Sequence, residues 1–142
     1  MQARSSDFDG LPQARAVWDF TTGDERRFLD RISLMLSTLQ SFSERKLSAD
    51  FVMLIHGPAT KFVARSHAGT KFADDVPRKL EEIQSVLKQL SDAGTCIKVC
   101  LIAMERCLVG VDNLLPFTVV EPNVFLNSIA LQNKGYAYMW MD

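Results

Sequence analysis

Residues 14–21 alternate, with Ala16, Trp18 and Phe20 on one side and Val17 and Asp19 on the other, and this two-residue period predicts a strand. Thr22-Gly23-Asp24-Glu25 follows, and Thr22 with Glu25 three positions later has the spacing of a capping box. Phe28, Ile32, Met35 or Leu36, Leu39 and Phe42 then recur at helical spacing, predicting an amphipathic helix that runs to about Lys46. Phe51-Val52-Met53-Leu54-Ile55 is apolar at every position, the pattern of a central parallel strand covered on both faces. His56-Gly57-Pro58 closes it, and Pro58, whose missing N–H does no harm in a first turn, predicts a short helix to about Arg65.

Residues 66–74 read as a loop, and Asp75 as the N-cap of a helix with Pro77 in its first turn. The stripe of that helix, Leu80, Ile83, Leu87 and Leu90, stops before Gly94. A third strand is expected over 96–101, a helix over 102–108 that ends near Gly110, and a short helix over 112–115. A fourth strand over 117–120, a helix over 123–133 and a fifth strand over 135–141 complete the chain.

Strands separated by helices call for crossover connections, so the expected fold is α/β: a mostly parallel five-stranded sheet with helices on both faces, a three-layer sandwich. One such domain over 14–142, preceded by a flexible polar tail over 1–13, accounts for all 142 residues. The last strand is unusual because Tyr136, Tyr138 and Trp140 line one face and Ala137, Met139 and Met141 the other. Such a strand lies deep in the sheet or is covered by another subunit, and the second choice makes the protein a homo-oligomer.

Charge narrows the range of partners. Sixteen basic and 17 acidic side chains leave a net charge of -1, and the densest basic spot near the first helix, Arg26-Arg27, stands beside Asp24 and Glu25. Nucleic acid is therefore not an expected partner, since displacing counterions from phosphates needs clustered Lys and Arg. The apolar runs are too short for a membrane helix, as Asp112-Asn113 interrupting the run at Val111 and Leu114 illustrates. The first thirteen residues lack the apolar core of a secretory signal, so a cytoplasmic location is expected.

Ligands in open α/β sheets sit outside the carboxyl ends of the strands. Three of these ends carry polar or reactive groups: Thr21-Thr22-Gly23, His56-Gly57 and Cys100. Gly23 has the freedom a phosphate nest needs, although no P-loop, GxGxxG or GxSxG is present. Cys100 closes a strand and opens a helix, whose N-terminal partial charge favours a thiolate; packed as a small hydrophobe, the same residue would be inert. His56 is a candidate general base or thiolate partner, and equally a strand-end histidine bonded to backbone.

Three cysteines are too few for a disulfide scaffold. Cys96 and Cys100 on one strand lie ~13 Å apart and Cys107 lies ~10 Å along the following helix, so neither makes a local disulfide with Cys100. With no CxxC, and with His56 and His67 unpaired in spacing, no metal site is expected.

Val99-Cys100-Leu101-Ile102-Ala103-Met104-Glu105-Arg106 resembles the cysteine motif, V-C-x-x-A-x-x-R, of the DsrE/DsrF-like family of YchN-like fold, which includes the TusD-type sulfur-transfer subunits. Leu54-Ile55-His56-Gly57 is similar to that family's strand ending in His-Gly, and Leu131-Gln132-Asn133-Lys134-Gly135-Tyr136-Ala137-Tyr138 to its terminal L-Q-x-x-G-Y-A-Y. The resemblance spans residue 14 to the end. It implies assembly as a trimer or hexamer through sheet edges and terminal strands, a persulfide carried on Cys100 and passed to a thiol-bearing protein partner, and no cofactor. Arg106 would then hold an anionic partner group or serve structure alone. Leu101 and Ile102 depart from the small residues that relay members often carry after the cysteine, and Cys96 and Cys107 have no counterpart in the motif.

Two readings follow. In one, Cys100 handles sulfur; in the other, the protein is a non-catalytic oligomeric binding module with a strand-end crevice. A nucleotide or flavin site would rest on the architecture alone.

Overall fold

The fold is described from a computed structural model that covers residues 6–142; residues 1–5 of the expected tail lie outside the described residues. Within the rest of that tail, Ser6–Phe8 forms a 3-10 turn. The Phe8 ring meets Phe42 edge-on at 6.0 Å, and the Arg45 guanidinium lies over it.

The elements follow the order expected from the periodicities. They are β1 (Ala14–Phe20), α1 (Glu25–Glu44), β2 (Ala49–Ile55), a 3-10 helix (Gly57–Phe62), α2 (Leu80–Asp92), β3 (Cys96–Cys100) and α3 (Leu101–Cys107). A 3-10 turn (Val111–Asn113), β4 (Thr118–Glu121), α4 (Val124–Asn133) and β5 (Ala137–Trp140) complete the chain. The five strands make one sheet in the order β4-β3-β2-β1-β5, and every neighbouring pair is parallel.

The alternation in β1 sorts its side chains between two cores. Ala16, Trp18 and Phe20, with Phe51, Met53, Ile55, Ile97 and Val99, face α1 and α2 in the larger core. Phe28 is fully buried at its centre, stacked on Phe62 at 4.2 Å and edge-on to Phe20 at 5.3 Å. Val17, Val52, Leu54 and Cys100 face the other way and are closed over by Ala103 and Val124. The link from β4 to β5 must cross from one sheet edge to the other, so α4 runs across this second face and packs against β1, β2, β3 and β5.

Two expectations about helix caps are corrected. The first concerns the N-cap of α1, which is Asp24: its Oδ1 accepts the Arg27 N–H at 2.9 Å. Thr22 stands outside the helix, its backbone N–H donated to the Asp142 carboxylate at 2.8 Å, while Glu25 accepts the Lys79 N–H from the start of α2. The second concerns α2, which begins at Leu80 instead of being capped by Asp75. Lys61 is buried in the 3-10 helix, and a buried ammonium demands a counter-charge; Asp75 supplies it, with Oδ2 2.8 Å from Nζ.

Of the two placements left open for the last strand, depth in the sheet is not the one found: β5 occupies an edge. Tyr138 and Met139 are both well exposed, and Trp140 is 67% exposed.

Candidate functional site

Parallel register determines which strand ends meet. β2 and β3 pair with Leu54 opposite Lys98, and two further residues along each strand bring His56 level with Cys100 on the same face. Cys100 is the last residue of β3 and the N-cap of α3, so its side chain stands where the chain turns from strand to helix. It is 5% exposed, set among Val52, Leu54, Ala103 and Val124.

A cavity of about 150 Å³ opens beside it. His56 and Gly57 line it from the turn after β2, Cys100 from the end of β3, Ile102, Arg106 and Cys107 from α3, and Phe125 from α4. Gly57 makes the sharp exit from β2 with φ +56°, the left-handed region that a side chain disfavours. The Phe125 ring lies edge-on to His56 at 5.5 Å.

His56 is tied to Asp19, whose Oδ1 lies 2.5 Å from Nε2. The other oxygen of Asp19 accepts the Tyr138 hydroxyl from β5. Burial pushes the Asp19 carboxyl up, but the hydrogen bonds from His56 and Tyr138 and the charge of His56 outweigh it and hold it below the ordinary carboxylate value. The Tyr138 phenol is pushed up to about 12 by burial, by its bond to Asp19 and by the charges of Asp19 and Asp142.

The structure thus brings together four of the residues singled out in the sequence: His56, Gly57, Cys100 and Arg106. Thr22 and Gly23 do not line the cavity; they stand at the end of β1, the strand next to β2. There the Thr21 and Thr22 N–H groups, at 2.9 and 2.8 Å, and the Thr21 hydroxyl hold the Asp142 carboxylate. These donors at the end of β1 are therefore taken by the chain's own Asp142. Gly23 packs so tightly that a Cβ would come within 2.8 Å of Pro58 Cβ.

Asp19, Tyr138 and Phe125 are site residues that periodicity did not single out. Asp19 did carry a signal, an acid on a strand face otherwise destined for burial. Cys107 also reaches the cavity, its S–H donating to the Gly57 carbonyl at 3.9 Å. Burial raises its thiol pKa, against the charge of Lys71 and a hydrogen bond with Thr60. Cys96 lies at the opposite end of β3, level with Val52, and all three cysteines are free. His67 bonds to the Lys61 carbonyl, and among the described residues no three His, Cys, Asp or Glu side chains converge as a metal site. Among those residues, too, no helix is long and apolar enough to cross a membrane.

Comparison with known proteins agrees with this architecture. The structure of the protein of unknown function MTH1491 from Methanobacterium thermoautotrophicum superimposes with a TM-score of 0.68, covering 90% of this chain and 99% of that one at 17% identity. An uncharacterised protein of Aquifex aeolicus (strain VF5) is 36% identical over 126 residues. That match takes in 88% of this chain but 55% of the relative, so the chain spans about half the length of the curated relative it matches. The family model for the DsrE/DsrF-like family matches residues 19–141, from the acid that holds His56 through Cys100 to the edge strand, and the chain belongs to that family.

Proposed function

We propose that this protein is an intracellular sulfur carrier, in which Cys100 accepts a sulfur atom as a persulfide and hands it to a thiol of another protein. The observation that carries this reading is the meeting of Cys100 and His56 in one small cavity at the carboxyl ends of adjacent strands. A thiol in such a place has a base beside it and room for one additional sulfur, while the surrounding apolar side chains keep water from the persulfide. The cytoplasm suits this role, because it keeps three free thiols reduced.

Assembly as a trimer or hexamer belongs to the same proposal. Tyr138, Met139 and Trp140 on the β5 edge, with Phe125, Leu126 and Ile129 on the outer side of α4, leave apolar surface exposed beside the cavity. A neighbouring copy seated there would shield both the edge strand and the mouth of the site.

The test is incubation of the reduced protein with a small-molecule persulfide, followed by intact-mass spectrometry. A gain of one sulfur atom, lost in Cys100→Ser and kept in Cys96→Ser and Cys107→Ser, is the expected result. Wild-type protein that stays unloaded where a known sulfur carrier loads would refute the proposal.

The near-complete burial of Cys100 favours a second reading, a binding module in which this thiol only packs. Alkylation of the folded protein separates the two: on the first reading Cys100 reacts, and on the second it reacts only after unfolding.

A further inference from the structure

The sheet order places Tyr138 on β5, Asp19 on β1, His56 just past the end of β2 and Cys100 at the end of β3, four successive strands, all on the face covered by α4. Asp19 is buried on the strand face that otherwise presents Val17 and Leu54 to α4. An ionised carboxylate is costly in such surroundings unless donors meet it, and Asp19 has two, the Tyr138 hydroxyl and His56 Nε2. A carboxylate only accepts, so the proton of a neutral His56 is drawn to Nε2 and the lone pair is left on Nδ1. Among the described residues nothing hydrogen-bonds Nδ1. The edge-on ring of Phe125 limits rotation of the imidazole from the α4 side.

We infer that Asp19 is a positioning residue for Cys100 chemistry: it holds His56 in one tautomer and orientation, so that Nδ1 serves as the base for the Cys100 proton. This rests on the sulfur-carrier reading above. In the step, Nδ1 removes the proton from the Cys100 thiol, and the thiolate bonds to the outer sulfur of a persulfide donor. The S–S bond of the donor breaks, and the departing thiolate takes the proton back from the imidazolium. The products are a Cys100 persulfide and the donor as a free thiol, with no net oxidation. Tyr138 supports the arrangement from outside, since its hydroxyl occupies the second oxygen of Asp19 and leaves the first for His56.

The experiment is a double-mutant cycle on the full chain: wild type, Asp19→Asn, His56→Ala and the pair together, each confirmed folded by circular dichroism. Two rates are followed, loading of Cys100 from cysteine persulfide and alkylation of Cys100 by iodoacetamide. Asp19→Asn is expected to slow both by about 100-fold, the loss that misplacing a reacting group can cause. It adds nothing in the His56→Ala background, where free imidazole restores part of the rate. The ¹⁵N shifts of His56 report a single Nε2–H tautomer in wild type and a mixture in Asp19→Asn. If Asp19→Asn does not fold, Tyr138→Phe takes its place, with a slowing of a few-fold that is likewise absent without His56. Slowing that multiplies in the double variant, or a tautomer unchanged in Asp19→Asn, overturns the inference. Loading that is equal in all variants overturns it too but leaves the sulfur carrier standing. Wild type that never loads, while alkylation keeps the coupling, refutes the carrier and not the positioning.

Discussion

Where the exit of β1 meets the 3-10 helix, Gly57 packs against Thr21 and Gly23 against Pro58, and alanine is expected to harm them for different reasons. At Gly57 the backbone has φ +56°, and an added Cβ would meet only ordinary contacts, Thr21 at 3.8 Å. The cost of Gly57→Ala is then the left-handed conformation itself, about 1–2 kcal/mol. Gly23 has no such φ, but its Cβ would come within 2.8 Å of Pro58 Cβ, a rigid ring atom, and one of the two segments must move. Overpacking of this kind costs about 1–3 kcal/mol. For a chain of this size, 1–2 kcal/mol lowers Tm by roughly 3–8 °C.

Urea and thermal unfolding of five variants, Gly57→Ala, Gly57→Asn, Gly23→Ala, Pro58→Gly and the Gly23→Ala/Pro58→Gly pair, separate the two causes. Gly57→Asn is expected to recover much of the loss of Gly57→Ala, because asparagine tolerates the left-handed region. Gly23→Ala is expected to cost little in a Pro58→Gly background, where the obstructing atom is gone. The reasoning is refuted if Gly57→Asn is as damaging as Gly57→Ala, or if the cost of Gly23→Ala is the same with and without the Pro58 Cβ. Displacement of Pro58 would also disturb the adjacent His56-Gly57 turn, so Gly23→Ala should alter Cys100 alkylation despite its distance from the cavity.

Three more outcomes follow from the same geometry. Because the Asp19 carboxyl is held below its unfolded value, its contribution to stability is present above the unfolded carboxyl pKa, near 3.9, and is lost as pH falls through the lower folded value. Unfolding free energies between about pH 2 and 6 should therefore drop more steeply toward acid in wild type than in Asp19→Asn. Phe125 is 61% exposed yet walls the cavity, so Phe125→Ala should change Tm little while raising the alkylation rate of Cys100 and leaving that of Cys96 unchanged. The proposed assembly through the exposed β5 edge predicts that wild type sediments as a trimer or hexamer and that Trp140→Glu, which puts a charge on that edge, sediments as a smaller species while its circular dichroism spectrum stays that of wild type.

The alternating pattern of β1, the unbroken apolar run of β2 and the helical stripes of α1 and α2 are local periodicities, and each reports how one element is buried. They were enough for the element order and the α/β class, and parallel strands then required crossovers. Cap choice was less legible. Thr22, Asp24 and Asp75 are all good caps in isolation; which of them acts depended on Asp142 and Lys61, which compete for Thr22 and Asp75 and lie distant in sequence. The terminal strand shows the same limit, because its doubly apolar pattern is shared by a central strand and by the exposed edge strand that β5 is.

Cys100, His56, Gly57 and Arg106 could be named from the chain because strand-to-helix junctions and a short motif leave marks over a few residues. Their arrangement could not. Asp19 and Tyr138 are 119 residues apart, and only the order β5-β1-β2-β3 brings the phenol, the carboxylate, the imidazole and the thiol into one row. By itself the sequence determined which segments are strands and helices and which polar and thiol side chains stand at the strand ends, since both depend on near neighbours along the chain. Tertiary structure alone decided which reactive groups meet, because strand order and register are settled by burial of the whole sheet.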